Sequence, residues 1–282
     1  MGAEAHDRRD VSDFDLEVVR TGAQIDDSMV AYAERKVRAA ARSAPAPVLF
    51  GRIKMRHEPH RSIERPILVA ATLDVDGYPV RAHAAGHIAT EAVDLLEERL
   101  RGQLVKAHQR IVFLRRRHTG VAATGEWRHG DEPTARPAFF PRPPEERRVM
   151  RTKTVSLDRC TPEDAAVRME MLDHDFRLFI DSATDREAVV QRLPDGDFGL
   201  SRTPDDGEPP HDAARFRTGA RPPVLTMESA VERLNDTDDP FLFFVDVTTS
   251  RGAVLYRRSD GHYGVVQAGP APVLAGERHR DL

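Results

Sequence analysis

Cationic side chains recur in the first 117 residues at spacings that place them in rows. Two sets lie three, four or seven positions apart, as residues on one stripe of a helix do. A third set alternates with Ile53 and Met55, as residues on one face of a strand do. The spacing therefore predicts three rows of positive charge on rigid elements. The rows are Arg35, Arg38 and Arg42; Arg52, Lys54 and Arg56; and Arg99, Lys106 and Arg110.

The chemistry that such rows suit is the binding of phosphate groups. Cations on a rigid surface displace the counterions condensed on a nucleic acid, and this demands little of side-chain geometry. One row alone is more often a solvated face, but three rows followed by Arg115, Arg116 and Arg117 favour a nucleic-acid surface. Aromatic residues are scarce, so recognition of folded RNA by shape and backbone is favoured over base stacking.

Two pairs of histidines offer a different chemistry. His57 with His60, and His83 with His87, have side chains that can bind a metal. No Glu-x-x-His, His-Glu-x-x-His or cysteine set accompanies them, and the sequence contains no P-loop, nucleophile elbow or dinucleotide-binding motif. We therefore expect loop and strand-edge histidines, with no metal, no cofactor and no enzymatic activity.

Charge and cysteine content indicate the kind of partner and the compartment. Residues 12–117 contain 18 Lys and Arg against 14 Asp and Glu, a formal charge of +4, whereas residues 118–282 contain 22 against 29, a charge of −7. A polyanion is thus expected to meet the first part of the chain. A single cysteine, Cys160, and the absence of a signal peptide or an 18-residue apolar stretch predict a soluble cytoplasmic protein. We expect no membrane and no DNA partner.

Strand and helix signals alternate through the first domain. Asp26 and Asp27 supply acid at the start of a helix that Pro45 ends, and Asp76-Gly77 is a strong hairpin signal. The predicted order is β-α-β-β-β-α. Its elements span residues 14–20, 26–42, 48–57, 66–75, 79–85 and 90–110.

The remainder of the chain contains an internal repeat. Residues recur at a fixed offset of 65 without a gap, so that Thr161 returns as Thr226 and Phe176 as Phe241. Each copy predicts a small α-β-β-β domain, and the whole chain is therefore of the α+β class. The expected boundaries are 12–117 for the basic domain, 118–153 for a proline-rich linker, 154–202 for the first copy, 203–223 for a second linker, 224–267 for the second copy and 268–282 for a tail.

The repeats are expected to pair with each other within one chain. The strand at 241–245 is apolar on both faces, although one helix can cover only one of them. A connection of 21 residues spans about 25 Å and holds the two copies at an effective concentration near millimolar. The residues predicted at this interface are Phe176, Leu178, Ile180 and Val190 in the first copy and Phe241, Phe243, Val245 and Leu255 in the second.

The motifs together resemble one family. The stretches 24–37 and 91–106 resemble the amino-terminal domain of long ribosome hibernation-promoting factors, the family of S30AE or sigma-54 modulation type. The stretches 169–176 and 256–265 resemble the beginning and the end of that family's dimerisation domain. The tandem arrangement is similar to the dormancy-associated hibernation factors of actinobacteria.

This resemblance implies a non-enzymatic function. The basic domain would bind rRNA in the decoding channel of the small subunit, exclude mRNA and tRNA, and preserve inactive ribosomes under stress or dormancy; the helix cations occupy positions where the family keeps rRNA-facing charge. The sequence departs from the family at Gly86-His87-Ile88-Ala89, where a tyrosine is common, and in having two carboxy-terminal domains. The alternatives are a protein-interaction scaffold or transcription modulator without ribosome binding, and a metal-dependent RNA hydrolase.

Overall fold

The computed structural model describes residues 14–22, 24–58, 63, 65–118, 142–204 and 216–269. The helices within those residues are α1 Asp27–Ala41, α2 Ala89–His118, α3 Pro162–Met171 and α4 Met227–Asn235. The strands are β1 Asp15–Thr21, β2 Val48–His57, β3 Ile67–Val75, β4 Tyr78–Gly86, β5 Val149–Val155, β6 Arg159–Cys160, β7 Phe176–Asp181, β8 Arg186–Arg192, β9 Phe198–Arg202, β10 Phe216–Thr218, β11 Val224–Leu225, β12 Phe241–Asp246, β13 Arg251–Arg257 and β14 Tyr263–Ala268. None of the described helices is long and apolar enough to cross a membrane.

The amino-terminal domain has the predicted order β-α-β-β-β-α. Its sheet runs β1-β2-β3-β4, with β1 parallel to β2 and the other neighbours antiparallel. Asp26 caps α1: its carboxylate accepts hydrogen bonds from the hydroxyl of Ser28 and the N–H of Met29, and these bonds lower the pKa of Asp26. Asp76 and Gly77 form the predicted hairpin turn with positive φ angles of 52° and 83°.

The two helices of this domain pack on one face of its sheet. Ile53 and Met55 of β2 are buried in the same apolar cluster as Val37 of α1 and Leu96 of α2. Because side chains alternate along a strand, the residues between Ile53 and Met55 point to the opposite face of the sheet. The cations of β2 and the cations of the helices therefore lie on opposite sides of the domain.

Helix α2 continues eight residues beyond the predicted end at Arg110, to His118. Ile111 and Leu114 are buried and continue the apolar stripe of Leu104 and Ala107. No glycine or proline interrupts this stripe before Gly120. The run of arginines from 115 to 117 thus belongs to the last turn of the helix.

The duplication is visible in the element boundaries. Strands β7 and β8 recur as β12 and β13 with starts and ends displaced by 65 residues, and β6 recurs as β11 with the same offset. Each copy belongs to a five-stranded sheet, one in the order β10-β9-β8-β7-β6 and the other in the order β11-β12-β13-β14-β5. The predicted order α-β-β-β is present in both copies.

Each copy receives one strand from the chain segment that precedes the other copy. Strand β5 precedes the first copy, but it lies parallel to β14 of the second, where Val265 is registered with Thr152. Strand β10 precedes the second copy, but it lies parallel to β9 of the first, where Phe216 is registered with Phe198. Residues 149–153 and 216–218 fall in stretches predicted to be linkers, because short edge strands carry little hydrophobic periodicity.

The described chain divides into two compact units. The first unit joins the amino-terminal domain to Glu163–Arg177 and Arg192–Asp197, and the second comprises Arg142–Pro162, Leu178–Gln191 and the residues from Phe198 onward. Helix α3 therefore belongs to the first unit, where Val167 and Met171 are buried in the core of the amino-terminal domain.

Candidate nucleic-acid interface

Three of the predicted cations lie exposed on the helices, on the side away from the sheet. Arg35 is exposed on α1, Arg42 is exposed at the cap that follows α1, and Lys106 is exposed on α2. The guanidinium of Arg35 lies 5.5 Å from the centre of the Tyr32 ring, which restricts its motion. We call these three residues the helix surface.

A polar network between α1 and α2 fixes the two helices against each other. The ammonium of Lys36 contacts Glu97 at 2.7 Å and Asp94 at 2.9 Å, and the hydroxyl of Tyr32 donates to Asp94 at 2.6 Å. Hydrogen bonds to Glu97 and Asp94 raise the pKa of Lys36, and the bond from Tyr32 lowers the pKa of Asp94. This network sets the distance between the two cation rows. Sequence spacing within one helix could not reveal it, because it joins residues of two helices.

The cations of β2 form a second group, the sheet surface, consisting of Arg52, Lys54 and Arg56. Arg52 donates from Nε and Nη2 to the carboxylate of Glu17 on β1 at 2.8 and 2.9 Å. Arg56 contacts the carboxylate of Glu58. Two of the three charges on the sheet surface are therefore balanced by carboxylates of the same domain.

Two of the predicted helix cations turn toward the protein instead of solvent. Arg38 donates from Nη1 to the carbonyl oxygen of Phe14 at 2.9 Å, and Arg99 donates to the carbonyl oxygen of His83 at 2.8 Å. Both are half-buried and fasten a helix to a neighbouring segment. Arg38 and Arg99 have the same sequence spacing as the exposed cations because they lie at the margin of a helix stripe. A long side chain at that margin can extend toward solvent or toward the protein.

Arg110 does not join an exposed row, because α3 packs over it. Its side chain is buried and donates to Gln103 at 2.7 Å and to Glu170 of α3 at 3.0 Å. Glu170 is also buried and lies 3.3 Å from Arg192. Spacing within one helix could not predict this pairing, because Glu170 is 60 residues from Arg110 and belongs to the repeat.

We expect replacement of Arg110 by glutamine to lower stability and leave the cationic surface intact. Removing one member of a buried ion pair leaves the other charge without its partner and lowers the free energy of unfolding. We expect a loss of about 3 kcal/mol, the low end of the usual range, because Arg192 stays beside Glu170. Denaturant unfolding followed by circular dichroism measures the change. The matched control is Lys106→Gln on the same helix, which should leave stability unchanged. An unaltered stability in Arg110→Gln would contradict the buried pairing.

Of the two histidine pairs, His83 with His87 lies wholly within the described residues. His83 contacts Asp173 through Nδ1, but the described residues contain no group of three or more His, Cys, Asp or Glu placed to hold a metal. His60 lies outside the described residues.

The second unit contains a contact between the two repeats. The carboxylate of Glu187 on β8 accepts the backbone N–H of Gly252 on β13 and contacts the guanidinium of Arg251. Phe243 of β12 is only 7% exposed, although it lies on the strand face opposite to α4. On the face of β12 that the sequence left uncovered, Phe243 is therefore buried, and its neighbours Phe241 and Val245 are half-buried.

Leu255, one of the eight residues predicted at this interface, lies on the other side of its sheet, and the offset of 65 makes Val190 its equivalent in the first copy. Leu255 is buried beneath α4 with Ala230 and Leu234. Its neighbour Val254 is fully buried on the opposite face and is registered with Phe243. Period-two alternation fixes which residues share a face but not which face meets the helix, so β13 was assigned the wrong parity.

Comparison with known proteins places both repeats in one family. Residues 144–200 and 219–265 match the family model described as Sigma 54 modulation/S30EA ribosomal protein C terminus. The two matched segments correspond to the two copies, each including the chain just before its helix.

Similarity to whole proteins extends over most of the chain. A dormancy associated translation inhibitor of Mycobacterium tuberculosis (strain H37Rv) is 33% identical over 243 residues, which cover 83% of this chain and 82% of that protein. A ribosome hibernation promotion factor of Lactococcus lactis is 30% identical over 140 residues, which cover 50% of this chain and 74% of that protein. The structure of a ribosomal subunit interface protein from Coxiella burnetii covers 33% of this chain and 97% of that chain, at 21% identity and a TM-score of 0.28.

Proposed function

Because the chain belongs to the family of long ribosome hibernation-promoting factors, we propose that it binds the small ribosomal subunit and stops translation without catalysing a reaction. The amino-terminal domain contacts rRNA in the decoding channel and excludes mRNA and tRNA. In this way the chain preserves inactive ribosomes in the cytoplasm during stress or dormancy.

The observation that carries this proposal is the helix surface. Arg35, Arg42 and Lys106 are exposed on two helices whose spacing is fixed by the network around Lys36. Rigid cations that are already oriented lose little conformational entropy when they meet phosphates.

Competition with mRNA tests the location of binding. The chain at saturating concentration should prevent a fluorescent mRNA fragment from binding to purified small subunits, because both need the same channel. Excess mRNA added first should slow binding of the chain in return. Simultaneous binding of the chain and mRNA would place the chain elsewhere on the subunit.

We also propose that the two repeats pair with each other within one chain. The reciprocal placement of β5 and β10 supports this, since each copy completes its sheet with a strand from the segment preceding the other. The contact from Glu187 to Arg251 and Gly252 supports it as well. A chain whose repeats are both occupied has no free copy with which to join a second ribosome.

A further inference from the structure

The repeats differ at one position where their sheets meet. Strands β8 and β13 correspond residue for residue, and the offset of 65 makes Glu187 the equivalent of Gly252. These two equivalent residues contact each other, since the Glu187 carboxylate accepts the N–H of Gly252. The two residues thus lie near the local axis that relates one copy to the other.

Glycine at 252 makes room for the glutamate. A Cβ at this position would lie 2.9 Å from Oε2 of Glu187, 3.3 Å from its Cβ and 3.0 Å from Cε2 of Phe243. The φ angle of Gly252 is not positive, so the backbone conformation does not itself require glycine. Close approach of the glutamate is the reason for it.

Burial makes the pairing selective. Glu187 is 8% exposed, and a carboxylate so placed needs compensating partners, which here are the guanidinium of Arg251 and the N–H of Gly252. Two first copies brought together would place glutamate against glutamate, with no space for either side chain. Arg186, the equivalent of Arg251, supplies a cation but not that space. Two second copies would leave Arg251 without its carboxylate and a void between two glycines.

We propose that Glu187 and Gly252 are specificity determinants that restrict the repeats to pairing of a first copy with a second copy. This inference rests on the proposed pairing of the repeats within one chain. Tethering then favours the partner on the same chain, and the glutamate–glycine pair disfavours joining of like copies on different chains.

A reciprocal exchange in the full-length chain tests the proposal. Gly252→Glu should lower the melting temperature by about 8 °C or more, because two buried carboxylates would meet. Glu187→Gly should lower it less, because it leaves Arg251 without its carboxylate but adds no second buried charge. Both single variants should stay monomeric, since an effective concentration near millimolar still favours the copy on the same chain. The double variant Glu187→Gly with Gly252→Glu should recover most of the lost melting temperature, since Arg186 then takes the place of Arg251 beside the transferred carboxylate.

The control is Glu187→Gln, which keeps the size of the side chain and removes its charge. It should lower the melting temperature less than Gly252→Glu does, because the side chain keeps its space at Gly252 and loses only the charge that Arg251 contacts. The proposal would be overturned if the double variant lost as much melting temperature as the two single variants together. It would also be overturned if Gly252→Glu were as stable as the wild type. If the wild type were itself a dimer, pairing within one chain would be wrong, whereas recovery in the double variant would still support pairing of unlike copies.

Discussion

Replacing Arg35, Arg42 and Lys106 together by glutamate is expected to weaken binding of the chain to the small ribosomal subunit by about a thousandfold. Each residue is exposed, and each charge-assisted contact with a phosphate contributes about a factor of ten or more. Reversal of the sign adds repulsion from neighbouring phosphates. Equilibrium binding of labelled chain to purified small subunits at fixed salt concentration measures the loss.

A matched control separates this surface from net charge. Lys153, Arg221 and Arg233 are exposed cations outside the amino-terminal domain, and their joint replacement by glutamate changes the net charge equally. This control should bind within about threefold of the wild type, because long-range charge is screened beyond roughly 10 Å. Lys54→Glu tests the sheet surface and should have an intermediate effect. Equal losses in the two triple variants would show that the helix surface has no specific role.

The purified chain is expected to be a monomer of 31.6 kDa by light scattering. Both partners of the repeat interface are on one polypeptide, and an effective concentration near millimolar exceeds any concentration from about 1 to 100 μM used in the measurement. The mass should therefore stay constant across that range.

The same assembly predicts the form of the inactive ribosome. With both repeats occupied, ribosomes incubated with the chain should sediment as single particles and not as pairs. A constant mass of twice the monomer, or ribosome pairs that form on addition of the chain, would contradict pairing within one chain.

Much of the fold could be predicted because its signals are local. The alternation of Ile53 and Met55 with cations fixed the orientation of β2, and Asp76-Gly77 fixed a hairpin. The repeat was readable because its offset of 65 runs without a gap through a helix and three strands. Such signals depend on residues only a few positions apart or on self-similarity, and both are visible in one sequence.

What escaped prediction depends on contacts between distant parts of the chain. Arg110 has the spacing of an exposed cation, and only the packing of α3 reveals its burial against Glu170. The cations on β2 and on the helices match as sequence rows but point to opposite sides of a sheet. Strand β5 is largely polar and exposed, and strand β10 has only three residues, so neither identifies on its own the sheet that it completes.

The central claim, that this chain silences ribosomes by binding the small subunit through its helix surface, is tested most directly by sedimentation through a sucrose gradient. The wild-type chain mixed with purified small subunits should travel with them at 50 mM salt and be largely released at 200 mM, because about three phosphate contacts lower affinity roughly fortyfold over that interval. The variant with Arg35, Arg42 and Lys106 replaced by glutamate should stay at the top of the gradient at both salt concentrations. A wild-type chain that remains at the top at 50 mM salt, or a triple variant that travels with the subunits as fully as the wild type, would contradict the claim.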